Sequence, residues 1–280
     1  MKETLKKLRD ALIPIYGKGE TEAIIRIIFH YLKGWNLTDL LIHSEDELSV
    51  FMKEQIEDIL KRLLNHEPIQ YITGEARFHG MDIKIKPGVL IPRPETEELV
   101  DLIIDDNKNK EDLNILDLCS GSGCIAIALA RNLPFSKVTA VDLSETAVEV
   151  AKENSKLLKA KIQVIGADIF DWDPDIDFDI IVSNPPYVMD KEALRMDRNV
   201  LDYEPHEALF VRDEDPLRFY MRIAEIALNN LVAGGGLYLE INPLTADSIK
   251  KEMERYGFGD VTLIRDSFGK FRFLTCKKLG

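Results

Sequence analysis

Apolar residues recur at helical spacing through the opening part of the chain. Leu5, Leu8, Leu12 and Ile15 form one stripe, and Ile24, Ile25, Ile28 and Tyr31 form a second. Each stripe predicts a helix with one buried face. A third helix is expected from about Ser44 to Asn65, with Ser44 as its cap because Glu47 stands three residues on. None of these helices carries a catalytic cluster, so they read as a small bundle. From Ile69 the pattern shifts. Gln70–Glu75 and Met81–Ile85 read as short strands around a turn at His79-Gly80. In Leu90-Ile91-Pro92-Arg93-Pro94-Glu95-Thr96-Glu97, two prolines hold the backbone extended. A helix over Glu97–Ile104 and a polar loop over Asp105–Asp112 should follow.

The remainder alternates strand and helix. Strands are expected at Asn114–Leu118, Lys137–Asp142, Lys161–Ile165, Phe178–Val182, Gly236–Ile241, Val261–Ile264 and Phe271–Thr275. Helices are expected at Gly123–Arg131, after Ser144, and over Pro216–Leu231. Repeated β-α units require a largely parallel sheet with helices on both faces. The short link from Asp266 to Lys270 requires the last two strands to be antiparallel, because parallel neighbours need a long crossover.

Composition sharpens this picture. With 280 residues, 45% of them hydrophobic, the chain can bury one large core and a small one. We expect a helical recognition domain over 1–68, a β-hairpin linker over 69–92 and a catalytic domain over 93–280. The formal net charge of -13 disfavours broad nucleic-acid binding, which needs Lys and Arg to meet phosphates. No apolar run is long enough for a transmembrane helix, and Met1–Lys7 lacks the apolar core of a signal peptide. Three cysteines, Cys119, Cys124 and Cys276, show no metal-type pairing and fit a reduced chain. The expectation is a cytoplasmic monomer without a bound metal.

The chemistry concentrates at predicted strand ends. Asp117-Leu118-Cys119-Ser120-Gly121-Ser122-Gly123 lies where the first strand of the large domain meets its helix. Glycines there permit a tight turn and close ligand approach, and the helix start presents free N–H groups. Asp142 ends the next strand, about 20 residues on, where an acid can accept from ribose hydroxyls. The loop lacks a third glycine at the usual place, so it suits a methyl donor better than a dinucleotide with a pyrophosphate to cradle. Asp168 follows the third strand, where it could accept from an adenine amino group. Ile169 or Phe170 could cover the ring, and Trp172 is a further candidate. A turn acid with core neighbours is the bland alternative.

Ile180-Ile181-Val182-Ser183-Asn184-Pro185-Pro186-Tyr187 is the most informative segment. A buried strand runs into two prolines, which fix the backbone and remove two N–H donors. What remains are carbonyl oxygens and the Asn184 amide, acceptors suited to an –NH₂ group. Tyr187 can stack on a planar substrate. An amide or exocyclic amine nitrogen is a poor nucleophile because its lone pair is delocalised. The Asn184 side-chain oxygen and the Pro185 carbonyl could hold its two N–H bonds and turn electron density toward an incoming methyl group. A strong general base is not needed, since the proton becomes acidic only after transfer. Asn184, Pro185 and Tyr187 are therefore the candidate catalytic residues, and Asn184 to Tyr187 the substrate loop.

On these motifs, together with Arg93-Pro94-Glu95-Thr96-Glu97 and Tyr203-Glu204-Pro205-His206-Glu207-Ala208-Leu209, the chain resembles the HemK/PrmC family of release factor N5-glutamine methyltransferases. The resemblance implies a seven-stranded Rossmann-like class I methyltransferase domain of α/β class, with a small N-terminal helical bundle and a connecting β-hairpin. It implies methylation of the glutamine of the Gly-Gly-Gln motif in bacterial class 1 release factors 1 and 2. It also implies S-adenosyl-L-methionine as donor and S-adenosyl-L-homocysteine as product. Cys119, Ser120, Gly121, Ser122, Gly123, Asp142, Asp168, Ile169 and Asn184 would contact the donor, and the helices would help dock the factor. The family more often has Gly at the Cys119 position, and an aromatic often stands where Ile169 does. The Asn-Pro-Pro-Tyr tetrapeptide is shared with adenine-N6 DNA methyltransferases, so a nucleic-acid enzyme is the rival reading. A donor-binding scaffold without activity is a second.

Overall fold

The two N-terminal apolar stripes lie on one interrupted helix, α1 (Lys2–Lys33), broken at Gly17, where φ is 73° and ψ is 168°. The computed structural model describes residues 1–280 and divides them into two units, Met1–Gly74 with Asp197–Tyr203, and Glu75–Met196 with Glu204–Gly280. In the first unit α1 is followed by α2 (Leu37–Ile42), α3 (Val50–Leu64) and α4 (Ile69–Thr73). Leu8, Leu12, Ile28, Phe29, Ile56 and Leu63 meet in its core. The cap of α3 is Ser49, whose hydroxyl accepts from the Met52 N–H at 3.2 Å, and not Ser44, which lies in a short 3₁₀ turn. Gln70–Thr73, expected as strand, is helical. Its strand-like residues are overridden because Ile69 and Ile72 reach the helical core, and Gly74 at φ 75° stops the turn. Tyr203 belongs with these helices, its hydroxyl donating to the Asn65 carbonyl at 2.9 Å.

The second unit opens with the hairpin β1 (Glu75–Phe78) and β2 (Met81–Lys84), turning at His79-Gly80. Helix α5 (Pro94–Asn107) has Pro at its first position and outlasts the expected boundary, because Asn107 is buried and donates to the Ile103 carbonyl at 2.9 Å. Then come β3 (Asn114–Leu118), α6 (Cys124–Asn132), β4 (Lys137–Asp142), α7 (Glu145–Leu157, capped by Ser144), β5 (Ile162–Gly166) and β6 (Phe178–Ser183). Two short strands, β7 (Val188–Met189) and β8 (Phe210–Val211), pair in parallel, and the single-turn helices α8 (Arg198–Leu201) and α9 (His206–Leu209) lie between them in sequence. The chain ends with α10 (Arg218–Asn230), β9 (Leu231–Glu240), α11 (Ala246–Tyr256), β10 (Phe258–Arg265) and β11 (Phe271–Lys278).

Seven strands form one sheet in the order β10-β11-β9-β6-β3-β4-β5. Pairs among β9, β6, β3, β4 and β5 are parallel, and β11 is antiparallel to both neighbours. This is the expected α/β fold class, with the helical region and hairpin preceding the sheet. Leu116, Leu118, Ile181, Leu237 and Leu239 fill one face of the sheet against Tyr220, Ile223 and Ala227 of α10. Strand order reverses between β3 and β6, where the Ser183 hydroxyl donates to the Leu118 carbonyl at 2.6 Å. A crevice beyond the carboxyl ends at such a switch point is the usual ligand position of an open α/β sheet. No helix is long and apolar enough to cross a membrane.

Candidate active site

A cavity of about 650 Å³ lies at this switch point. The loop after β3 contributes Cys119, Ser120, Gly121 and Ser122, and the ends of β4 and β5 contribute Asp142 and Asp168 with Ile169. The loop after β6 contributes Asn184 and Pro186. The structure thus brings nine of the sequence-predicted residues to one space. Gly123, Pro185 and Tyr187 do not line it. Gly123 has φ 76°, and a Cβ there would meet the Ala151 Cβ of α7 at 3.0 Å, so its smallness lets two helices approach.

Backbone geometry explains the loop. Cys119 and Gly121 have φ of 60° and 54°, a left-handed turn whose Ser120 N–H donates to the Val141 carbonyl at 3.1 Å. Asp142 clamps it, accepting from the Gly121 N–H at 2.7 Å and from the Ser144 N–H at 2.9 Å. Burial raises the Asp142 carboxyl above the usual range, and these two N–H bonds oppose that shift. Asn154 of α7 braces the loop from behind: its Nδ2 donates to the Ser122 carbonyl at 3.0 Å and to the Lys84 carbonyl at 3.0 Å. Asp168 accepts from the Phe170 N–H at 3.0 Å, leaving its second oxygen free of that turn. Ile169 is buried, while Phe170 packs edge-on to Phe219 under the Arg218 guanidinium, 4.3 Å from its ring centre.

Several residues missed in the sequence complete the site. Asp117 is fully buried, and its carboxyl is raised well above the ordinary range by that burial. Its Oδ2 accepts from the Ala126 N–H at 3.1 Å, whereas Oδ1 has no partner, and Ser120 Oγ and Ser122 Oγ are likewise buried and unpartnered. Leu143 lines the cavity with 66% exposure, an apolar surface next to the Asp142 carboxylate. The Asn184 Nδ2 donates to Thr96 Oγ1 at 3.3 Å, and the Thr96 hydroxyl donates to Glu240 Oε2 at 2.7 Å. The Tyr187 hydroxyl donates to Glu240 Oε1 at 2.9 Å. Burial and the adjoining Glu240 carboxylate push the Tyr187 hydroxyl well above its ordinary pKa, so it is a donor and not a base. A signal for Glu240 was available: it is the acid that terminates the apolar run Leu237-Tyr238-Leu239. Glu204 joins two of the family segments, accepting from the Ile91 N–H at 3.1 Å and pairing with Arg93 at 2.6 Å.

Residues 3–74 match the family described as PrmC N-terminal domain, and residues 95–202 match the methyltransferase small domain. A release factor glutamine methyltransferase of Bacteroides thetaiotaomicron is 45% identical over 273 residues, covering 97% of this chain and 98% of that one. The chain belongs to the release factor glutamine methyltransferase family. A second family member, from Flavobacterium psychrophilum, is 43% identical and covers 94% of both chains. Among solved structures, a methyltransferase from Pyrococcus furiosus shares the fold, with a TM-score of 0.54 at 19% identity, covering 80% of this chain and 100% of that one.

Proposed function

We infer that this chain is a protein-(glutamine-N5) methyltransferase that uses S-adenosyl-L-methionine to methylate the Gly-Gly-Gln glutamine of peptide chain release factors 1 and 2. The observation that carries the site assignment is the fixed amide of Asn184. Its nitrogen is committed to Thr96, which leaves Oδ1 as an acceptor on a residue that lines the cavity. Oδ1 and the Pro185 carbonyl hold the two N–H bonds of the glutamine amide, which enriches the nitrogen in electron density and orients it for attack. Tyr187, anchored through its hydroxyl and packed against the core of the sheet unit, stiffens the loop.

The cavity suits the donor. The unpartnered Ser120 and Ser122 hydroxyls and the start of α6 fit a carboxylate, and the unpartnered Asp117 oxygen fits an ammonium group. Each Asp142 oxygen keeps a lone pair for a ribose hydroxyl after accepting its backbone bond. Asp168 and the apolar surfaces of Leu143, Ile169 and Phe170 suit an adenine. When bound, S-adenosyl-L-methionine supplies an electrophilic methyl group. The residues around it supply position and exclude water. The division of labour in the same proposal is recognition by the helical unit, which runs past the expected boundary at 68 to Gly74, and chemistry in the unit that opens with the β1–β2 hairpin. Its support includes Leu37, Leu41, Ile42, Val50 and Phe51, apolar side chains of α2 and α3 left mostly exposed.

Incubation with radiolabelled donor and three acceptors tests this reading. Label is expected on the release factor and absent from duplex DNA and ribosomal RNA. Label on nucleic acid but not on the factor would replace it with the adenine-N6 reading.

A further inference from the structure

We infer that Thr96 and Glu240 are positioning residues that lock the Asn184 amide with its oxygen, not its nitrogen, presented to the substrate. The inference rests on the reading of Asn184 as the acceptor of the glutamine N–H. An asparagine amide turns by half a rotation at little cost, and the two orientations offer opposite chemistry, an acceptor or a pair of donors. The wrong one would set N–H against N–H. Something must therefore break the symmetry, and neither Pro185 nor Pro186 has an N–H with which to do it.

The symmetry is broken by a carboxylate. An ionised Glu240 can only accept, so both hydroxyls beside it must donate inward, Thr96 at 2.7 Å and Tyr187 at 2.9 Å. With its proton so committed, Thr96 has only lone pairs to offer Asn184, and the amide must meet it with Nδ2. Glu240 is 1% exposed, so water cannot supply an alternative partner. It ends β9, Thr96 stands in the first turn of α5, and Asn184 follows β6, so three elements of the sheet unit converge on one proton order. This gives a reason for a threonine in the Arg93–Glu97 segment that helix capping does not supply.

The charged surroundings of Glu240 make the lock sensitive to pH. Burial raises its carboxyl above the usual range and Glu95 of α5 adds to this, while the hydrogen bonds from Thr96 and Tyr187 and the Arg272 charge of β11 oppose it. Arg272 is itself paired with Asp266 at 3.2 Å. A protonated Glu240 can donate to Thr96, which frees the threonine proton to face Asn184 and turns the amide over. Activity should therefore fall as pH drops through the raised Glu240 pKa and be full above it.

The test combines four variants, with donor affinity from calorimetry and kcat measured on the release factor. Thr96→Val keeps the shape and removes the hydroxyl; kcat should fall by about 10- to 100-fold, the scale of a misplaced substrate, with donor affinity within about two-fold. Thr96→Ser should restore kcat to within about three-fold of the parent. The acidic limb of the kcat profile should disappear in Glu240→Gln. Full activity of Thr96→Val, a Ser variant as poor as the Val variant, or an acidic limb retained in Glu240→Gln would each overturn the lock. The Glu240→Gln profile stands on its own if Thr96→Val fails to fold. Asn184→Ala is the control: undiminished kcat there would remove the acceptor reading itself, whereas a low kcat there beside a fully active Thr96→Val would remove only the lock.

Discussion

Cys119 occupies a left-handed backbone conformation at φ 60°, where a Cβ is crowded by the following carbonyl. Burial also raises its thiol well above the ordinary range, so it is not poised as a nucleophile. Cys119→Gly should stabilise the protein by about 0.5–1 kcal/mol, the relieved crowding less the extra freedom of glycine in the unfolded chain. Urea unfolding measures this, and a lower midpoint in the variant would contradict it. The donor loop, Asp142, Asp168 and Asn184 were legible in the sequence because each stands at or just beyond the carboxyl end of a parallel strand, and those ends converge whatever the intervening length. Glu240 also ends a strand, but its link to Thr96 was not legible, because the contact joins residues 144 apart. Tyr187 was legible as part of the loop, but the anchoring of its hydroxyl was not.

At the scale of elements, β3 and β4 were read to the residue, since the buried apolar residues Ile115, Leu116 and Leu118 in one and Val138, Ala140 and Val141 in the other mark two short central strands. Helix α11 was missed because only Ala246, Ile249 and Met253 are buried on an otherwise polar surface. The strand-like Gln70–Thr73 misled for the opposite reason: β-branched and aromatic residues fit a helix when a neighbouring core accepts them. Exposed apolar residues on α2 and α3 are the elements' unused surface. Docking through them would raise the local concentration of the glutamine. Leu41→Asp and Phe51→Asp should each raise KM for the release factor about ten-fold, with a smaller effect on kcat. Steady-state kinetics with an unchanged KM in both would remove the docking role.

For the whole molecule, the linear pattern revealed a helical front and a sheet domain but not that Asp197–Tyr203 joins the helices. A segment that returns after more than a hundred residues leaves no periodic trace. The net charge of -13 bears on function at this scale, since it opposes the counterion release that drives general nucleic-acid binding. The Asn184–Tyr187 loop alone is compatible with an adenine or an amide, and the family match over nearly the full chain selects the amide. Tandem mass spectrometry of a release factor treated with enzyme and donor is the most direct measurement. One added methyl group is expected on the side-chain nitrogen of the Gly-Gly-Gln glutamine, and none when Asn184→Ala replaces the parent enzyme. A methyl group on any other residue, or an unmodified factor with the active parent enzyme, would contradict it.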